Sequence, residues 1–211
     1  MKITVKNISK ASRRLIKKIT MPYYTKKYSK KFSGGGYTLI TSNCIGGIIN
    51  KRVGQPQNSP TFNLWILQSD FIKFVLNLQY YLKQELEFID SEYNYPVAKL
   101  DDIKINFAHY YSELEAEEAW ERRKKRIIWD NIYIIMYEDE VTREQLLELQ
   151  KVKCKKLIVL TDSKENLDIP YLKYIKKDLH DRENDYVFLD TDFLGRMTFE
   201  KQWDYVAWLN S

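Results

Sequence analysis

The 211 residues carry 34 Lys and Arg against 29 Asp and Glu, a net charge of +5, with 44% hydrophobic and 30% charged side chains. That balance belongs to a globular protein long enough to bury a core, and the length fits one domain. No apolar run approaches the roughly 18 residues of a membrane-spanning helix and no secretory signal is legible, so a cytoplasmic protein is expected. Two cysteines, Cys44 and Cys154, and two distant histidines make neither a disulfide framework nor zinc-ligand spacing. Any metal would need carboxylates; no metal site is assigned and no cofactor is identified.

The charge is unevenly placed. The first 69 residues hold 13 Lys and Arg and no acid, leaving 21 cations against 29 acids, a balance of −8, in the remainder. A basic N-terminal third suits an anionic partner or forms a solvated arm. Residues 8–20 set Ile8, Leu15, Ile16 and Ile19 near one helical face among cations. This pattern suits peripheral contact with the inner face of a membrane or with a lipid-linked acceptor; nucleic acid is not expected. Residues 1–36, ending in Gly34-Gly35-Gly36, read as a basic N-terminal arm or helix, and 37–211 as a single α/β domain.

Residues 37–41 form a short apolar strand, and 46–53 a two-turn helix ended by Gly54 with Pro56 just beyond. After the turn-rich loop 55–60, a long helical region begins near Thr61, with Phe71, Phe74, Val75, Leu78, Tyr81 and Leu82 at helical spacing. Residues 86–89 and 97–100 are short strands, and 103–110 is another, by the alternation of Ile103, Ile105 and Phe107. Ser112 with Glu115 makes a capping box for a helix running to about Arg126. Residues 131–137 are a strand buried on both faces. Thr142 with Gln145 opens a further helix, 156–161 is the next buried strand, 186–189 a last strand and 199–209 a closing helix. Repeated strand–helix units predict an α/β fold: a three-layer, mostly parallel or mixed, Rossmann-like sheet with helices on both faces.

Ligands of open α/β sheets bind beyond the carboxyl ends of the strands, near helix N-termini. Ser42, Asn43 and Cys44 follow such an end, and Gly46-Gly47 lets a backbone approach an anion, so Ser42, Asn43, Gly46 and Gly47 are candidate phosphate ligands; a purely structural turn is the alternative. The turn lacks the Lys-Ser/Thr of a P-loop and the full GxGxxG pattern, so neither ATP nor NAD recognition is supported. Cys44 is a candidate nucleophile at a helix N-terminus, or else an inert buried thiol. His109, at a strand end pointing to the same sheet edge, is a candidate general base or a structural histidine. Arg123 and Arg126 can grip a diphosphate or form a solvated cationic helix end. Asp101-Asp102 is a carboxylate pair before a strand, which makes Asp102 a further catalytic candidate beside its turn role. Asp190-Thr-Asp192 has the form of a glycosyltransferase metal motif, but only 19 residues follow it.

Several stretches together carry a resemblance: Thr41-Ser-Asn-Cys-Ile-Gly-Gly47, Gly54-Gln-Pro-Gln-Asn-Ser-Pro-Thr61, Phe71-Ile-Lys-Phe74, Tyr95-Pro-Val-Ala-Lys-Leu100, His109-Tyr110, Ala119-Trp-Glu-Arg-Arg-Lys-Lys-Arg-Ile127 and Asp130-Asn131. From Tyr37 to the end, the chain resembles an uncharacterised bacterial family whose members are labelled exopolysaccharide or capsule biosynthesis proteins. It departs from the family pattern at Ile45, where relatives carry an aromatic residue, and at Ala98, where they carry glycine. The basic arm lies outside the resemblance. The implied expectation is an enzyme of surface-polysaccharide assembly: a glycosyl or related group transferase that takes a phosphate-activated sugar or another anionic small molecule, with Arg123 and Arg126 offsetting leaving-group charge. The alternatives are a Cys44/His109 acyltransferase or hydrolase that modifies polysaccharide, and a non-catalytic partner of the assembly machinery.

Overall fold

The computed structural model describes residues 10–138, 141–176 and 195–211. The described residues fall in two compact units, one within the bounds Met1–Gly35, Ile49–Gln55 and Ile175–Ser211, the other within Gly36–Ile48 and Pro56–Tyr174.

The second unit contains two sheets. Strands β1 (Thr38–Thr41), β5 (Ile132–Tyr137), β6 (Lys156–Thr161) and β7 (Leu172–Tyr174) make an all-parallel sheet in the order β1-β5-β6-β7. Every residue of β1 and β5 is buried, as expected for strands covered on both faces. The crossover from β1 to β5 carries α2 (Ile45–Val53), α3 (Gln68–Leu76), α4 (Leu78–Tyr81), a separate antiparallel sheet of β2 (Glu87–Ile89), β3 (Val97–Leu100) and β4 (Ile103–Asn106), and α5 (Glu113–Lys124). One strand–helix alternation therefore does not generate one sheet. The three middle strands join through short connections, which favour antiparallel pairing, whereas β5 and β6 are separated by α6 (Arg143–Glu148), the spacing a parallel crossover needs.

The β3–β4 hairpin turns on Asp101, at φ 59°, a left-handed conformation that Asp tolerates. The helix expected from Thr61 starts only at Gln68, because 58–66 serve as edge cover and pairing instead. Asn58 donates to the Tyr37 carbonyl at 2.7 Å, and the Thr61 hydroxyl accepts from the Thr41 N–H at 2.9 Å. The loop thus satisfies groups on the outer edge of β1, which no strand covers among the described residues. Trp65 then pairs its N–H and carbonyl with Asn106, both at 2.9 Å. The core includes Phe71, Phe74, Leu100, Ile105, Phe107, Trp120, Ile134 and Met136. Both expected caps form. Ser112 accepts from Glu115 N–H at 3.2 Å, and Thr142 and Gln145 make a reciprocal box. The Glu115 carboxylate reaches back to Tyr111 rather than to the cap itself.

In the first unit, helix α1 (Lys10–Lys31) runs past Pro22, within the segment expected as a basic arm or helix. Tyr24 and Tyr28, one turn apart, pack inward: Tyr28 lies 5.3 Å from Tyr205, and Arg52 sits over Tyr24 at 5.4 Å. A buried Arg52–Glu200 pair at 2.9 Å links residues 148 positions apart in the chain. The closing helix is two, α7 (Thr198–Gln202) and α8 (Tyr205–Asn210), because the Asp204 carboxylate caps a new helix by accepting from Ala207 at 3.1 Å. The strand expected at 186–189, the Asp190-Thr-Asp192 motif and the apolar side chains of Ile8, Leu15, Ile16 and Ile19 lie outside the described residues. Among the described residues, no helix is long and apolar enough to cross a membrane.

Gly46 is where α2 closes on β1. A Cβ there would stand 2.7 Å from Thr41 Cγ2 and 2.8 Å from the Phe62 ring. We expect Gly46→Ala to lose about 1–2 kcal/mol despite the better helix propensity of alanine, measured by denaturant unfolding, because the overlap involves packed neighbours.

Candidate functional site

The turn after β1 brings Cys44 to the start of α2, and the turn after β4 brings His109 against it: Cys44 Sγ and His109 Nε2 are 3.1 Å apart. Both residues lie in the second unit. They come from the ends of strands in two different sheets, not from one rim as the sequence suggested. Cys44 is half-buried and His109 exposed, so the pair opens to solvent on the imidazole side. The Leu64 carbonyl is also 4.0 Å from Sγ. Burial pushes the thiol up to about 11, so at neutral pH sulfur holds its proton. Cys44 has no positive φ, so the strained nucleophile turn of the α/β-hydrolases is not reproduced.

The start of α2 carries backbone donors two and three residues past the thiol. Asn43 Oδ1 accepts from the Ile45 N–H at 3.0 Å, and the first α-helical bond runs from Ile48 to the Cys44 carbonyl. The Gly46 and Gly47 N–H groups fall between, and among the described residues they meet no protein acceptor. Two unengaged N–H groups in a first helical turn suit a developing oxyanion.

Other expected site residues have different places. Ser42 is buried and engaged throughout: its hydroxyl accepts from Tyr137 N–H at 3.2 Å, its N–H donates to Ile135 at 3.3 Å and its carbonyl accepts from Ile66 at 2.9 Å. It ties β1 to β5 rather than facing a ligand. Gly46 serves close packing as well as offering its N–H. Arg123 is only 6% exposed and donates to the Phe62 carbonyl at 2.8 Å, to the Tyr110 hydroxyl and to Gln57 at 3.3 Å. Arg126 is exposed beyond the end of α5, so the two arginines do not form one grip. Asp102 sits at the opposite end of β4 from His109. The Lys73 ammonium at 2.7 Å and the Tyr81 hydroxyl at 2.6 Å hold its carboxyl below the usual range, making it an ionised anchor of the hairpin.

Sequence reasoning missed the supports. Asn63, at φ 65°, turns the chain so that its Oδ1 lies 3.6 Å from where a Gly47 Cβ would be. Asn followed by an apolar residue in a Pro-containing loop was the available signal, since Asn tolerates that conformation. Glu138, one residue past β5 and so beside the end of β1, has a buried Oε2 with no hydrogen-bond partner among the described residues. No cluster of three or more His, Cys, Asp or Glu suited to a metal occurs among the described residues.

These features define an α/β protein with a thiol–imidazole pair beyond the first strand of its parallel sheet. The chain belongs to the family described as domain of unknown function DUF1919, which matches residues 15–210. The match reaches into the basic N-terminal segment, which the resemblance had left out. The chain is also 33% identical over 192 residues to an uncharacterised protein of Haemophilus influenzae, covering 89% of this chain and 91% of that one. Neither name states an activity.

His109 is expected to speed modification of Cys44. Alkylation by iodoacetamide at neutral pH, followed by mass spectrometry with Cys154→Ala as background, should slow about tenfold or more in His109→Ala. In that variant the rate should climb only as pH approaches about 11. Equal rates with and without His109 would show that the contact does no chemistry. Arg123→Met removes three hydrogen bonds, to the Phe62 carbonyl, the Tyr110 hydroxyl and Gln57. It should cost about 3 kcal/mol in denaturant unfolding and reduce the dependence of Cys44 alkylation on His109.

Proposed function

We propose that the protein is a thiol-dependent acyltransferase or hydrolase in which Cys44 is the nucleophile and His109 the general base. The 3.1 Å approach of Sγ to Nε2 carries this reading. As Sγ bonds to the carbonyl carbon of an ester or thioester, its proton passes to Nε2, and the oxyanion faces the Gly46 and Gly47 N–H groups. Collapse breaks the bond to the leaving group, which takes the proton from His109 and leaves a thioester on Cys44. His109 then draws a proton from an acceptor hydroxyl or from water; that oxygen attacks, the bond to sulfur breaks, and the thiol regains its proton.

The setting proposed is surface-polysaccharide modification, as the family resemblance implies, with a sugar hydroxyl as acceptor or a sugar ester as substrate. Transfer from a phosphate-activated sugar draws less support. Of the groups it needed, Ser42 and Arg123 are engaged within the fold and Arg126 stands apart.

p-Nitrophenyl acetate and acetyl thioesters are suitable first probes. We expect a burst of leaving group with one acetyl group retained on Cys44. Cys44→Ala should abolish it and Cys154→Ala should leave it intact, while His109→Ala should lower the acylation rate by about 10²-fold or more. Turnover that survives Cys44→Ala, or an absence of any Cys44 adduct with both probe types, would overturn the proposal.

A further inference from the structure

Helix α1 has one face that packs and one that does not. Tyr24 is 6% exposed, and Tyr28 packs against Tyr205. The outward stripe centres on Tyr23, Lys26, Lys27 and Lys30, which are exposed and fall within about 100° of the helix circumference; Lys18, Pro22 and Lys31, also exposed, flank it. Tyr23 is 61% exposed. At 1.5 Å per residue the stripe is about 20 Å long. α1 contains no acidic residue, and among the described residues no carboxylate pairs with any of the five lysines. Such a stripe attracts anions.

We propose that this face of α1 is a docking surface for an anionic lipid bilayer. Its composition selects that partner. The cationic stripe suits a charged surface, and the exposed tyrosine among lysines has an apolar ring with a polar tip suited to the headgroup boundary. Every described cation on the stripe is lysine. Lysine is a mobile point charge that suits a fluid array of headgroups, whereas arginine supplies the fixed fork that grips a phosphate of set geometry. The acidic balance of −8 beyond residue 69 opposes wrapping of an extended polyanion, so a nucleic acid is the less suited partner. The inference rests on the first unit alone and does not depend on the chemistry of Cys44.

The test uses the full chain and three probes: phosphatidylcholine vesicles, the same vesicles containing phosphatidylglycerol, and duplex DNA. The protein should sediment with the anionic vesicles, stay free of the neutral ones, and be released as salt rises. Lys26→Gln and Lys30→Gln should each lower partition about fivefold, with circular dichroism unchanged. Tyr23→Ala should weaken binding without altering its salt dependence. Equal binding to both vesicle types, unchanged partition in the Lys26→Gln/Lys30→Gln double variant, or tighter binding to DNA than to anionic vesicles would overturn the proposal.

Discussion

The carbonyl oxygen of Phe62 is the point on which the geometry of the site depends. It accepts from the Arg123 guanidinium at 2.8 Å and from the Tyr110 hydroxyl at 3.2 Å. Tyr110 is the neighbour of His109, and Phe62 lies two residues before Leu64, whose carbonyl approaches the Cys44 sulfur. One acceptor thus joins α5, the turn that carries the imidazole and the loop beneath the thiol. Burying a guanidinium with no carboxylate beside it costs several kcal/mol, which is offset here by three hydrogen-bond acceptors and the Tyr110 ring at 5.9 Å. Among the described residues its Nε has no partner. A solvated helix end would carry no such constraint.

Where a segment's hydrogen-bonding groups are met locally, the sequence was legible. The caps at Ser112 and Thr142, the end of α2 at Gly54 with φ 72°, and the buried runs of β5 and β6 are set by side chains within a few positions of where they act. The pairing of β2, β3 and β4 was not legible as a separate sheet, because strand pattern reports burial and not the identity of the neighbouring strand. The same limit applies to residues 58–66: their composition does not say that an edge strand and Asn106 will take up their backbone and side-chain groups.

For the site, two residue types in the right turns were enough to bring Cys44 and His109 into consideration, although they lie 65 positions apart. What separates them from Ser42 and Arg123 is occupancy, which only the fold decides. Ser42 has the chemistry of a ligand group, yet Tyr137, Ile135 and Ile66 satisfy it. Asp102 has the chemistry of a catalytic carboxylate, yet Lys73 and Tyr81 hold it at the far end of its strand. Polar residues at strand ends serve either the chain or a ligand, and a pattern of residue types does not distinguish the two.

The half-buried state of Cys44 has a chemical consequence of its own. Peroxide and related oxidants attack sulfur as the thiolate, and burial keeps that form scarce near neutral pH. A thiol that burial holds protonated is therefore slow to form sulfenic acid. A preformed thiolate–imidazolium pair would lack that protection, so this arrangement gives up some resting nucleophilicity for persistence under oxidative stress.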